Sequence, residues 1–94
     1  MDMRENDMSK VSTFCKLFET EKHGQILVKL DGNNEGAPEV RFYAAPEGLG
    51  VCSVAALYTD DDAGWDRAEE YFARVDQTKA IAATAIVFKL GEKQ

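Results

Sequence analysis

The chain predicts an α+β domain: a small antiparallel sheet of three or four strands with helices packed on one face, in the order αβββα(α). Three observations carry that prediction. Ile26, Val28 and Leu30 recur at every second position from Gln25 to Leu30, with Lys29 pointing the other way. The turn-rich segments DGNNEGAP and PEGLG divide the middle of the chain into three short apolar runs, as a meander requires. After Tyr58 the apolar period lengthens from two to about 3.6, placing Trp65, Ala68, Phe72 and Val75 on one helical stripe.

The elements follow in order. From Ser9 to Glu19 two spacings compete. Val11, Phe14, Cys15 and Phe18 fit a helix that Ser9 would cap, whereas Val11, Thr13, Cys15 and Leu17 fit a strand. The expectation is a helix, closed by His23-Gly24, where glycine accepts a left-handed conformation. Gln25 to Leu30 is the clearest strand. Glu39 to Ala44 is the next, with Val40 and Phe42 alternating against Arg41 and Tyr43. Val51 to Tyr58 is apolar on both faces, the pattern of a central strand covered by a helix. The helix carrying Trp65 is interrupted near Asp76-Gln77-Thr78. A second helix follows over the alanine-rich run Lys79 to Lys89, with Ile81, Ala85 and Phe88 facing inward. A competing reading makes Ala85 to Leu90 a fourth strand; Gly91 closes either version.

Ninety-four residues make a single domain. Residues 1–8, with three methionines among charged residues, are expected to be a flexible polar leader, and residues 9–94 the folded domain. Seventeen acidic against eleven basic residues give a net charge of −6. The basic residues are scattered, so direct binding to nucleic acid or to an anionic membrane is not expected, whereas a protein partner with a basic surface is. Cys15 and Cys52 form no CxxC pair and are expected to be buried thiols of a cytoplasmic protein. No apolar stretch approaches the ~18 residues of a membrane span. An exposed edge strand would allow a homo-oligomer.

The chemistry-bearing motifs are few. Asp31, Asn33, Glu35 and Gly36 approach the calcium-loop pattern, but position twelve is Phe42 where a bidentate glutamate is needed, and Pro38 interrupts the loop. A hairpin turn accounts for the segment better. His23 with Cys15 or Cys52 would need hydrogen-bond contact to form a catalytic pair. Cys52 lies in an apolar run and His23 in a polar turn, and one histidine with two distant cysteines is not a zinc set. The chain carries no phosphate-binding loop, dinucleotide fingerprint or nucleophile elbow. No catalytic residue, metal or cofactor is therefore expected.

The stretch TDDDAGWDRAEEYF remains. Thr59 and Asp62 match a capping box, with Asp60 and Asp61 in the first turn against the helix dipole. Capping explains only part of the charge. Asp60, Asp61, Asp62, Asp66, Glu69 and Glu70 face one counter-charge, Arg67, within the span. Gly64 is unfavourable inside a helix by about 1 kcal/mol relative to alanine. It implies either a helix that starts at Asp62 or later, or a close approach to its backbone. The αβββα order resembles that of the double-stranded-RNA-binding domain, which places lysines where this chain has Asp60, Asp61 and Asp62, so that function is excluded. The chain is similar to small anti-CRISPR inhibitors in size and charge alone. The expected function is a non-catalytic interaction module that binds a protein through Asp60, Asp61, Asp62, Gly64, Asp66, Glu69 and Glu70. The alternative is an inhibitor that imitates a nucleic-acid backbone.

Overall fold

A computed structural model describes residues 14–92. Four strands come first: β1 (Cys15–Thr20), β2 (Gly24–Gly32), β3 (Pro38–Ala44) and β4 (Cys52–Leu57). Two helices follow, α1 (Asp62–Arg74) and α2 (Gln77–Glu92). The strands form one antiparallel meander in the order β1-β2-β3-β4, and both helices pack on the same face of it. The class is α+β as expected, but the order is ββββαα. The expected boundary at residue 9 and the leader before it lie outside the described residues.

The first element is a strand where a helix was expected. Its alternation is concealed because the inward-facing side chains are Lys16 and Phe18, while apolar Leu17 faces out. Lys16 nonetheless has a structural partner. Its ammonium donates to the carbonyls of Phe72 (2.7 Å), Ala73 (3.3 Å) and Val75 (3.1 Å), closing the C-terminal end of α1. A cation there opposes the negative end of the helix dipole and adds a donor to the carbonyls of the last turn, of which that of Phe72 also accepts from the Val75 amide. The turn into β2 is held by Thr20, whose hydroxyl accepts from the His23 amide and donates to the Gly24 carbonyl. Gly24 takes the left-handed conformation there, φ 68°.

Register places the core. Val28 stands opposite Lys16 on one side and Phe42 on the other; Leu30 faces Val40, and Phe42 faces Val54. Ile26, Val28, Leu30, Val40 and Phe42 meet Ala68, Phe72, Val75 and Ala80 from the helices. The second hairpin turns on Asn33, whose side-chain oxygen accepts from the amides of Glu35 and Ala37. The segment that approached a calcium loop is thus an Asn-stitched turn between strands.

The break between the helices has a local cause. Val75 leaves the helix in an extended conformation, and the Asp76 carboxylate then accepts from the Lys79 amide, capping α2. In α2 the buried stripe is Ala80, Thr84 and Val87, so the expected inward position of Ala85 is wrong: it is exposed. Thr84 is accommodated because its hydroxyl donates to the Ala80 carbonyl at 2.9 Å. Residues 85–90 are helical, and the fourth strand is β1. Val51 to Tyr58 holds β4, but at an edge of the sheet instead of its centre. Among the described residues no helix is long and apolar enough to cross a membrane.

Candidate functional site

The acidic run crosses the junction between β4 and α1. Tyr58, last before the turn, packs against the core beside Tyr71, and burial pushes its phenol above the usual 10.0. Asp61, not Thr59, is the N-cap: its carboxylate accepts from the Gly64 amide at 2.7 Å. The expected Thr59–Asp62 capping box is not made, because the helix starts later in the sequence. Thr59 instead donates its hydroxyl to Asp61 Oδ1 at 2.8 Å. These two bonds favour the ionised carboxylate, the Gly64 amide most and the Thr59 hydroxyl next, and they hold Asp61 below its usual value of 3.8.

The same turn explains Gly64. A Cβ on Gly64 would stand 1.9 Å from the Thr59 carbonyl oxygen and 2.6 Å from its hydroxyl. Gly64 is buried, and it is there because the incoming backbone folds directly over it. It contributes space, not a contact surface. Both sequence explanations hold, since the helix begins at Asp62 and the approaching backbone is the chain's own. Trp65 packs against the core, with its ring over Gly32 at the end of β2.

The remaining carboxylates are exposed: Asp60, Asp62, Asp66, Glu69 and Glu70. Glu70 pairs with Arg74 one turn on, at 2.9 Å between solvent-exposed side chains. Asp62, Asp66 and Glu69 follow one another at i, i+4 and i+7, outside the buried Gly64–Ala68–Phe72 stripe, with Glu69 the nearest to it. Among the described residues neither they nor Asp60 make a salt bridge. Of the seven residues expected at the site, Asp61 and Gly64 build the turn, Glu70 is paired, and four present free carboxylates outward.

The other candidates separate in space. Cys15 and Cys52 are free, half-buried instead of fully buried, and lie on strands at opposite edges of the sheet. His23 lies in the turn as expected but is half-buried: its ring packs against Phe88 of α2, tilted by 46°, with centroids 4.3 Å apart. It sits in the turn before β2, at the far end of β1 from Cys15 and two strands from the β4 strand that holds Cys52. It makes no hydrogen bond to either thiol among the described residues.

Among the described residues the sheet also has a face that no helix covers. It carries Leu17, Leu27 and Tyr43 in one register row, and the charged rows Lys29–Arg41 and Asp31–Glu39 beyond it. Like charges stand opposite each other in both charged rows. Arg41 is relieved by Glu39, which accepts from its Nε at 2.7 Å and from its second terminal nitrogen at 3.2 Å. This hydrogen bonding raises the guanidinium above its ordinary value. Ser53 on β4 takes the remaining terminal nitrogen at 2.9 Å. The Glu39–Arg41 pair lies within β3 at the two-residue spacing that puts both on one face, whereas the bond to Ser53 depends on the register with β4. No protein-family profile, curated protein or solved structure matches the chain at a significant level.

Proposed function

We propose that the protein is a non-catalytic interaction module that docks a basic protein surface on the outward face of α1 and the turn before it. The observation that carries this reading is the division of labour within the acidic run. Folding uses Asp61 as the cap and Gly64 as the close approach, and Glu70 has its own cation. Asp60 and Asp66 have no such role among the described residues. Asp62 lies in the first turn against the helix dipole, and Glu69 lies beside Lys16 without a salt bridge to it. Asp62, Asp66 and Glu69 form a row along the helix. Unpaired like charges on one face repel each other, a cost that an Arg/Lys-bearing partner removes.

The turn supports the reading in a second way. Asp60 and Asp62 flank a cap locked by the Thr59 and Gly64 bonds, so their backbone positions are fixed before any partner arrives. Preorganised charge loses less entropy on docking. The test is affinity capture from the native host at low and high salt, with the wild type and with Asp62→Ala/Asp66→Ala/Glu69→Ala. The reading expects a basic protein that is retained at low salt, released at high salt and lost with the triple variant. Capture that is indifferent to both salt and the triple variant refutes it. Competition by DNA or RNA for the captured protein identifies a partner that handles nucleic acid, in which case the carboxylate row imitates a phosphate backbone.

A further inference from the structure

In β4, sequence and position disagree. From Val51 to Tyr58 the chain has no charge, no glycine and no proline, and apart from Ser53 it is apolar along both faces as far as Leu57. That is the composition of a strand with neighbours on both sides, yet among the described residues β4 has β3 on one side only. Natural edge strands are usually blunted by charges, proline or a covering element. The opposite edge has such protection. There β1 carries Lys16 and Glu19, and Glu69, Phe72 and Ala73 of α1 lie beside Phe14 and Lys16. In β4 itself, Ser53, Ala55 and Leu57 are exposed, with Leu57 at 69%, and Val51 just before the strand is 76% exposed.

The ladder's phase fixes which backbone groups of β4 have no partner among the described residues. The Tyr58 amide donates to the Pro38 carbonyl at 3.1 Å, so Tyr58, Ala56, Val54 and Cys52 direct their backbone groups toward β3. Leu57, Ala55 and Ser53 direct theirs away from the sheet. These outward residues are symmetric about Ala55.

We propose that β4 pairs antiparallel with β4 of a second copy, about a two-fold axis at Ala55, to make one continuous eight-stranded sheet. Ala55 then stands opposite its own twin, and Ser53 opposite the partner's Leu57. The outward amides and carbonyls of all three residues close into about six ladder bonds, two for each pair. Three features select a second copy as the occupant. The axis that satisfies Ala55 satisfies Ser53 and Leu57 as well. Small or apolar side chains meet across it, Val54 against the partner's Ala56 and Ala55 against Ala55. Charge also fits: two chains of net charge −6 meet on their uncharged strand, and antiparallel pairing places their Asp60–Asp62 turns at opposite ends. A parallel pairing would set those turns side by side.

The test is the oligomeric state of the full chain, by sedimentation velocity over a concentration series up to millimolar, with Ala55→Lys, Ala55→Glu and Ala55→Pro. The wild type is expected to reach the mass of two chains, and amide exchange at Ala55 and Leu57 to slow as it does. Each variant alone is expected to keep the mass of one chain and a wild-type circular dichroism spectrum. Proline at 55 removes an outward amide and no bond to β3. An equimolar mixture of the Lys and Glu variants is expected to return to the mass of two chains, since the axis places the two charges opposite each other. A wild type of one-chain mass throughout overturns the proposal. So does a two-chain mass that all three variants leave intact, which would assign the contact to another surface. Should the Lys variant unfold, the Pro variant and the exchange measurement decide by the same criteria.

Discussion

Replacing Gly64 with alanine separates a helix position from a close-approach position, because the two predict opposite signs. In an ordinary helix interior the change stabilises by about 1 kcal/mol. Here the new Cβ would lie 1.9 Å from the Thr59 carbonyl oxygen, against the 3.0 Å that real Cβ contacts respect, so 1.1 Å of movement is required at the least (3.0 − 1.9). The obstructing atom is backbone, and it belongs to the residue whose hydroxyl holds Asp61 on the Gly64 amide. Thr59 cannot retreat without loosening that cap. Overpacking of this kind costs up to about 3 kcal/mol. Set against the helix gain of about 1 kcal/mol, the net loss is about 2 kcal/mol, or a fall in Tm of about 8–16 °C for a domain of this size. Thermal and urea melts followed by circular dichroism read the effect. Ala63→Gly, one residue earlier and exposed, serves as control and should cost no more than ~1 kcal/mol. A Gly64→Ala protein as stable as the wild type, or more so, refutes the account of this turn.

Three further outcomes follow from the geometry. Lys16→Met keeps the stem but removes the ammonium from three carbonyls; urea melts should show a loss of about 1.5–3 kcal/mol, the range for hydrogen bonds to a charged group. Asp61 is depressed below 3.8, so its stabilisation is fully present above pH 3.8 and is lost as pH falls through the lower folded value. The stability gap between wild type and Asp61→Ala should therefore be constant near neutral pH and close in acid, which melts across pH 2–7 would show, that range being chosen to bracket the carboxylate values. The triple variant Asp62→Ala/Asp66→Ala/Glu69→Ala should keep its melting temperature within a few degrees, as exposed substitutions do, while losing the salt-dependent capture. A large destabilisation would mean that those carboxylates serve the fold.

The parts of the fold legible in sequence are those where a single face decides burial. β2 and β3 show it through Ile26, Val28, Leu30, Val40 and Phe42, and α1 through Ala68, Phe72 and Val75. β1 was illegible because a lysine occupies a core-facing position for the sake of a helix end 56 residues later. Helix α2 was legible as a helix, but its inner stripe was not. Its apolar residues surround the axis, and Thr84 is a polar residue whose burial depends on the carbonyl one turn back. The composition of β4 reads as a central strand covered by a helix; only the topology of the described residues shows it at an edge. At the acidic run, sequence located the residues and the two possible reasons for Gly64. Which carboxylate caps, and which are left over, depends on the path of the chain at Thr59.

The three bonds from Lys16 also bear on how fast the protein comes apart. Hairpins and helices can form from neighbouring residues, whereas the contact from Lys16 to Phe72 closes across most of the described chain. A contact of such long sequence separation is expected to form late, on the native side of the folding barrier. Its loss in Lys16→Met should then accelerate unfolding while leaving the refolding rate nearly unchanged. In that case the lysine acts as a latch, setting the lifetime of the folded state more than the speed of reaching it.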